Sequence, residues 1–184
     1  MPTRAEALAL VREWNADEGH VKHMLAVEAA MRAYARKFGE DEELWGLTGL
    51  LHDFDYERYP ELADHTVKGG EILKEKGYSD ALVRAIRSHN DTTGVRRESR
   101  MEHALYACDE ISGFVTACAL VRPSKSLSDL EPSSVKKKLK QIGFARSVDR
   151  EAVLKGPEPL GVPFDDHCAF VIAAMRGIAA DLGL

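Results

Sequence analysis

The chain has 184 residues, of which 45% are hydrophobic and 30% charged, and 25 basic against 30 acidic side chains leave a net charge of −5. That is enough apolar material for one substantial core and a single domain over 1–184. The acidic balance argues against a broad nucleic-acid-binding surface. A small anionic substrate stays compatible with it, because a bound cation reverses the local sign of a site.

Three cysteines, Cys108, Cys118 and Cys168, are odd in number and form no CxxC pair. They read as reduced thiols packed in helices, not as a disulfide framework or zinc ribbon. Met1-Pro2-Thr3-Arg4 runs directly into a charged amphipathic stretch without the apolar region of a signal peptide. No window approaches the ~18 uncharged apolar residues of a membrane span. A cytoplasmic protein with no membrane partner is expected.

Helical periodicity dominates and alternating strands are absent, so the expected fold class is all-α. A first helix is predicted over 4–14. A second covers 18–38, with Val27, Met31, Tyr34 and Phe38 at helical spacing and Gly39 as its stop. A third, over 42–52, carries Leu44, Leu47, Leu50 and Leu51 on its inner side, and 55–62 reads as a loop. Helices follow over 65–76 and 79–89, with Gly77 closing the former and Ser79 capping the latter. Asn90 to Gly94 is turn chemistry. Ser99-Arg100-Met101-Glu102 matches a capping box and opens a long apolar helix to Val121. Beyond Arg122 the pattern predicts a Pro/Ser linker, a basic helix around 136–140, a short helix near Asp149 and a last apolar helix over 165–182.

The residues that carry chemistry are His23, His52-Asp53, His65, His89 and Asp109, each on or at the end of a predicted helix. His23 precedes Val27 by four residues and so shares the buried stripe of its helix. His52-Asp53 ends the most apolar helix. Asp109 lies inside the long helix among Leu105, Cys108, Ile111 and Ser112. A carboxylate there is costly to bury without a cation or strong donors, and a metal resolves that cost. Mixed imidazole and carboxylate ligands suit a divalent first-row ion. Any one of these histidines is more often a hydrogen-bonded core residue; the set in this order is what outweighs that reading.

The order His, His-Asp, Asp resembles the HD-domain superfamily of metal-dependent phosphohydrolases, in particular its small stand-alone bacterial members, which carry only a predicted hydrolase function. The likeness spans His20 to Val121, so an HD-like metal-binding core is expected over 18–121 with a helical extension over 122–184 packed on it. Leu50-Leu51-His52-Asp53 looks like the helix end of that superfamily, and His65-Thr66-Val67-Lys68-Gly69-Gly70-Glu71-Ile72-Leu73 is similar to its next helix. The resemblance implies an HD-domain-like helical bundle. It makes His23, His52, Asp53 and Asp109 the primary metal ligands. His65 and His89 match positions that hold a second metal in binuclear members.

The chain departs from common members at Phe54-Asp55-Tyr56, where Ile-Gly-Lys is usual, and at His89-Asn90, where some have paired histidines. The function implied is hydrolysis of a small phosphorylated substrate, a phosphate ester or nucleotide, through water activated by a divalent metal (Mn, Fe, Co, Ni, Zn or Mg). One tight ion and a second, weaker one are expected. Catalytic roles fall to Asp53 as a bridge, to Asp55 and Glu57 for proton transfer, and to Lys68 and Arg87 for holding phosphate. A metal- or nucleotide-binding regulatory module without turnover is the alternative. Lys136-Lys137-Lys138-Leu139-Lys140 reads as a solvated helix face, and His20, His103 and His167 as structural or exposed.

Overall fold

The computed structural model describes all residues from Met1 to Leu184. It is all-α: ten α-helices and two short 3-10 turns, with no strand. The first three helices are α1 (Arg4–Trp14), α2 (Glu18–Phe38) and α3 (Glu42–Leu51). Next come α4 (Val67–Glu75), α5 (Asp80–His89) and α6 (Arg100–Leu120). The remainder holds α7 (Pro132–Leu139), α8 (Arg150–Lys155), α9 (Phe164–Arg176) and α10 (Ala179–Leu182). No helix is long and apolar enough to cross a membrane.

The boundaries follow local chemistry. Asp17 caps α2 by accepting the Gly19 N–H, and Gly39 ends it in the left-handed region at φ 71°. Ser99 and Glu102 form the capping box that opens α6. Three elements differ from the sequence pattern. α4 starts at Val67 instead of His65, because Thr66 takes a left-handed φ of 65°. α7 begins at Pro132, a residue suited to the first helical turn, and not at Lys136. The last helix divides at Gly177 into α9 and α10, where glycine's poor helix propensity lets Ile178 leave the helical region at φ −124°.

α2 and α6, both 21 residues long, form the spine on which the others pack. α2 and α3 approach closely at Gly49, where an added Cβ would stand 2.9 Å from the Val27 carbonyl oxygen and 3.0 Å from Glu28 Cα. Buried Glu28 is held by Arg4 of α1 at 2.6 Å and by Arg32 at 2.9 Å, which ties α1 across α2. One continuous apolar core joins residues on both sides of position 121, including Met24, Tyr34, Leu105 and Phe114 with Leu127, Val135, Val171 and Met175. The helices after 121 therefore share the core of the earlier ones. His167 of α9 sits fully buried in that core, bonded to Tyr34 Oη at 2.6 Å and the Ala107 carbonyl at 2.9 Å.

Candidate metal centre

Four helices and the connection between α3 and α4 bring the predicted histidines and aspartates together. His23 comes from the first turns of α2, His52 from the C-terminus of α3 and Asp53 from the turn just after it. His65 comes from the segment before α4, His89 from the last residue of α5, and Asp109 from the middle of α6. The close α2–α3 approach at Gly49 is what sets His52 beside His23.

The side chains fall into two groups of three, His23 with His52 and Asp109, and Asp53 with His65 and His89. In each group the donor atoms lie within 4.8 Å of one another. His23 Nε2 is 3.0 Å from Asp109 Oδ1 and 3.2 Å from His52 Nε2. Asp53 Oδ1 is 3.3 Å from His65 Nε2 and 3.2 Å from His89 Nε2, while its Oδ2 is 3.5 Å from His52 Nε2. Asp53 therefore stands between the two groups.

Three of the four imidazoles have their orientation fixed from behind. The Nδ1–H of His52 donates to the Gly49 carbonyl at 2.8 Å, and that of His89 to the Ile86 carbonyl at 2.6 Å. The Nδ1–H of His65 donates to Asp55 Oδ1 at 2.9 Å. Because those acceptors can only accept, Nδ1 carries the proton and Nε2 is left facing the cleft, the usual arrangement behind metal-binding histidines. Nitrogen and carboxylate donors in this geometry fit a divalent first-row ion.

The electrostatics agree. Burial by itself would lower the His52 pKa, but the charges of Asp53 and Asp109 outweigh it and push it up to about 9. His65 is also pushed up to about 9, burial being overcome by Asp53 and Asp55. Asp53 and Asp109 are partly buried, and the loss of solvent by itself would raise them. The imidazoles around them, His52 foremost, instead hold both below the usual carboxylate range. The site is thus built for negative carboxylates beside positive charge.

The proposed helper residues divide differently. Asp55 is buried and already accepts three N–H groups, from His65 Nδ1, Thr66 and Gly69, so it orients His65 instead of facing solvent as a proton-transfer group. Glu57 accepts the backbone N–H groups of Ala16 and Asp17 at 2.9 and 3.0 Å and braces the entry to α2. Lys68 pairs with Asp64 at 3.3 Å and lies over the Tyr59 ring, outside the cleft lining. Arg87 lines a separate cavity with Lys74 and Arg84. It precedes His89 by two residues, about 200° around α5, so the two side chains leave the helix on opposite faces.

His20, Glu110 and Asn90 also take part in the surroundings of the site. His20 Nε2 is 3.7 Å from Asp53 Oδ2, and its ring meets Tyr56 edge-on. Its spacing of three residues before His23 on one helix face was the available signal. Glu110 follows Asp109 and lines the cleft, with burial first and Asp109 second pushing its carboxyl up to about 7. Asn90 donates from Nδ2 to the Leu62 and His65 carbonyls, which anchors the segment that carries His65. The cleft has a volume of about 540 Å³.

Comparison with known proteins agrees with this geometry. The chain is 27% identical over 111 residues to a tRNA (cytidine(56)-2'-O)-methyltransferase of Picrophilus torridus, covering 60% of this chain and 32% of that protein. It is 34% identical over 93 residues to an uncharacterized protein of Methanocaldococcus jannaschii, covering 48% of this chain and 54% of that one. The match thus spans between a third and a little over half the length of these curated relatives. No solved structure matches the chain significantly. The HD domain family matches residues 21–113, a segment that contains His23, His52, Asp53, His65, His89 and Asp109. The chain belongs to the HD domain family.

Proposed function

We propose that this protein is a metal-dependent phosphohydrolase acting on a small phosphate ester or nucleotide. The observation that carries the reading is the pair of three-donor groups joined through Asp53, with three imidazoles locked so that Nε2 faces one cleft. His23, His52 and Asp109 would hold one divalent ion. Asp53, His65 and His89 would hold another, bound more weakly because Asn90 stands where a further imidazole would add a ligand. A bound divalent ion lowers the pKa of water and polarises a phosphoryl oxygen.

The chain's own residues supply the rest. Asp53 carries negative charge between the two groups, and Asp55 fixes the His65 ring through its Nδ1–H. Glu110, with its carboxyl near neutrality, stands at the cleft wall where it can hold or release a proton. Residues 18–121 form the metal-binding core of the proposal and 122–184 the extension packed on it, together one domain. A reducing, cytoplasmic setting belongs to it as well, supported by three buried cysteines that form no disulfide.

A second reading, a metal- or nucleotide-binding module without turnover, is favoured by one observation. A relative matched over 32% of its length bears the name of a methyltransferase and not of a hydrolase. A panel of phosphate esters and nucleotides incubated with Mn²⁺, Co²⁺, Ni²⁺ or Mg²⁺ separates the two. The phosphohydrolase reading expects turnover with metal, none after chelation and none in Asp53→Ala. Bound metal without turnover across the panel selects the module; turnover that survives chelation refutes the mechanism.

A further inference from the structure

One wall of the metal cleft lies outside the segment matched by the family. Ser147 and Val148 line it, facing Glu110 and Gly113 of α6. They belong to the connection between α7 and α8, which is irregular in backbone but firmly held. The guanidinium of Arg150 donates to the carbonyls of Leu139, Gln141, Phe144, Ala145 and Val148. Those bonds engage all five donors that an arginine has. The Phe144 ring meets Phe114 of α6 edge-on at 5.6 Å, and the Asp149 N–H donates to Glu110 Oε2 at 3.2 Å. The connection is therefore fastened to the same helix that carries Asp109.

Within it Ala145 takes a left-handed φ of 43°, a conformation that a residue with a Cβ adopts at a cost of about 1–2 kcal/mol. The Arg150 bonds to the carbonyls on both sides of Ala145 hold the turn in place. The turn places Ser147 in the cleft wall, and Arg146 immediately precedes it in the chain. None of the side chains lining the cleft is Lys or Arg, whereas Asp53, Asp91, Asp109 and Glu110 are acidic. Arg146 is exposed and makes no ion pair or side-chain hydrogen bond within the protein.

We propose that the 140–149 connection is the substrate-selecting wall of the cleft, with the Arg146 guanidinium and the Ser147 hydroxyl binding the anionic group of the substrate and Arg150 acting as the positioning residue. This rests on the phosphohydrolase reading above. A planar guanidinium suits the task, since it meets phosphate or carboxylate oxygens through two parallel hydrogen bonds.

The test is calorimetric titration of inorganic phosphate into the Mn²⁺-loaded protein, with metal content measured on the same samples. Losing one charge-assisted contact is expected to weaken phosphate binding about tenfold or more in Arg146→Ala. Metal content should match the parent, and Arg146→Lys should recover part of the loss. With a hydrolysed ester in hand, Arg146→Ala is expected to raise KM by a similar factor and to leave kcat nearly unchanged. Arg150→Met should give the same KM shift at full metal content; if it does not fold, the Arg146 variants decide alone.

Equal phosphate affinity in parent and Arg146→Ala overturns the assignment, even where the parent hydrolyses esters. Weakened phosphate binding in Arg146→Ala without any turnover in the parent removes the hydrolase reading and leaves the anion site standing. A metal-loaded parent that binds no phosphate removes the anion site and leaves the hydrolase reading to the turnover panel.

Discussion

Asp55 accepts the Nδ1–H of His65 at 2.9 Å through one carboxylate oxygen and the backbone N–H groups of Thr66 and Gly69 at 2.9 and 3.0 Å through the other. One buried side chain therefore aims the imidazole, supports the left-handed Thr66 and starts α4. Removing such a partner typically costs about 10–100-fold in metal affinity. Asp55→Ala should lower the affinity of the Asp53, His65 and His89 group by that order and spare the His23 group. Gly69→Ala should act alike, because its Cβ would stand 2.4 Å from Asp55 Oδ2. Elemental analysis after dialysis against graded chelator reads both, and metal retention equal to the parent in both variants would contradict this role.

The two groups of donors should also differ in strength. The parent is expected to hold one ion tightly and a second weakly, and His65→Ala with His89→Ala should abolish the second alone. Metal stoichiometry for the parent and the double variant measures this. If both hold a single ion and hydrolyse at equal rates, the two histidines serve the fold and not the chemistry.

The α2–α3 contact makes a prediction about stability. At Gly49 a methyl group would meet backbone atoms on α2, which cannot rotate away as a side chain can. Gly49→Ala should therefore destabilise the protein by about 1–3 kcal/mol, the usual cost of overpacking, despite alanine's better helix propensity. Urea unfolding should show a lower midpoint at an unchanged slope. An unaltered midpoint would mean that the helices can part without cost.

His167 predicts part of the acid sensitivity. Burial first of all, against the favourable bond to the Ala107 carbonyl, pushes its pKa down to about 4. The unfolded chain then binds more protons than the folded one between pH 6.5 and 4, so stability rises with pH across that window and is lost as pH falls through it. From pH 7 to pH 5 the loss attributable to this group is about 2 kcal/mol. His167→Gln, which does not titrate, should show a correspondingly smaller fall in Tm between those two pH values. Equal falls in parent and variant would assign the acid sensitivity to other groups.

Much of this architecture was legible in the chain because helices write a local signature. The apolar spacing through Val27, Met31 and Tyr34, the Gly39 stop and the Ser99–Glu102 capping box all act within a few residues, and the helices stand where those signals place them. The six candidate metal-site residues stood out for a related reason: histidines and aspartates on apolar helix faces are costly unless they meet a partner. Five of the six line one cleft, and the sixth, the fully buried His52, lies behind it with Nε2 3.2 Å from His23 Nε2.

What only the tertiary structure decided is what each remaining polar side chain meets. Asp55 and Glu57 are carboxylates close in the chain to the candidate ligand Asp53, yet backbone N–H groups from Thr66, Gly69, Ala16 and Asp17 already occupy them. Lys68 and Arg87 sit on helices that carry or border metal-site histidines, but their side chains leave those helices away from the cleft. Conversely, Ser147 reaches the cleft from a segment with no local pattern, because Arg150 gathers five carbonyls around one guanidinium. Periodicity depends on neighbours three or four residues away, so the chain alone determines it. Which donor meets which acceptor across about 40 or 90 residues depends on how the helices pack, and that is set by contacts such as Gly49 against α2 that no local pattern records.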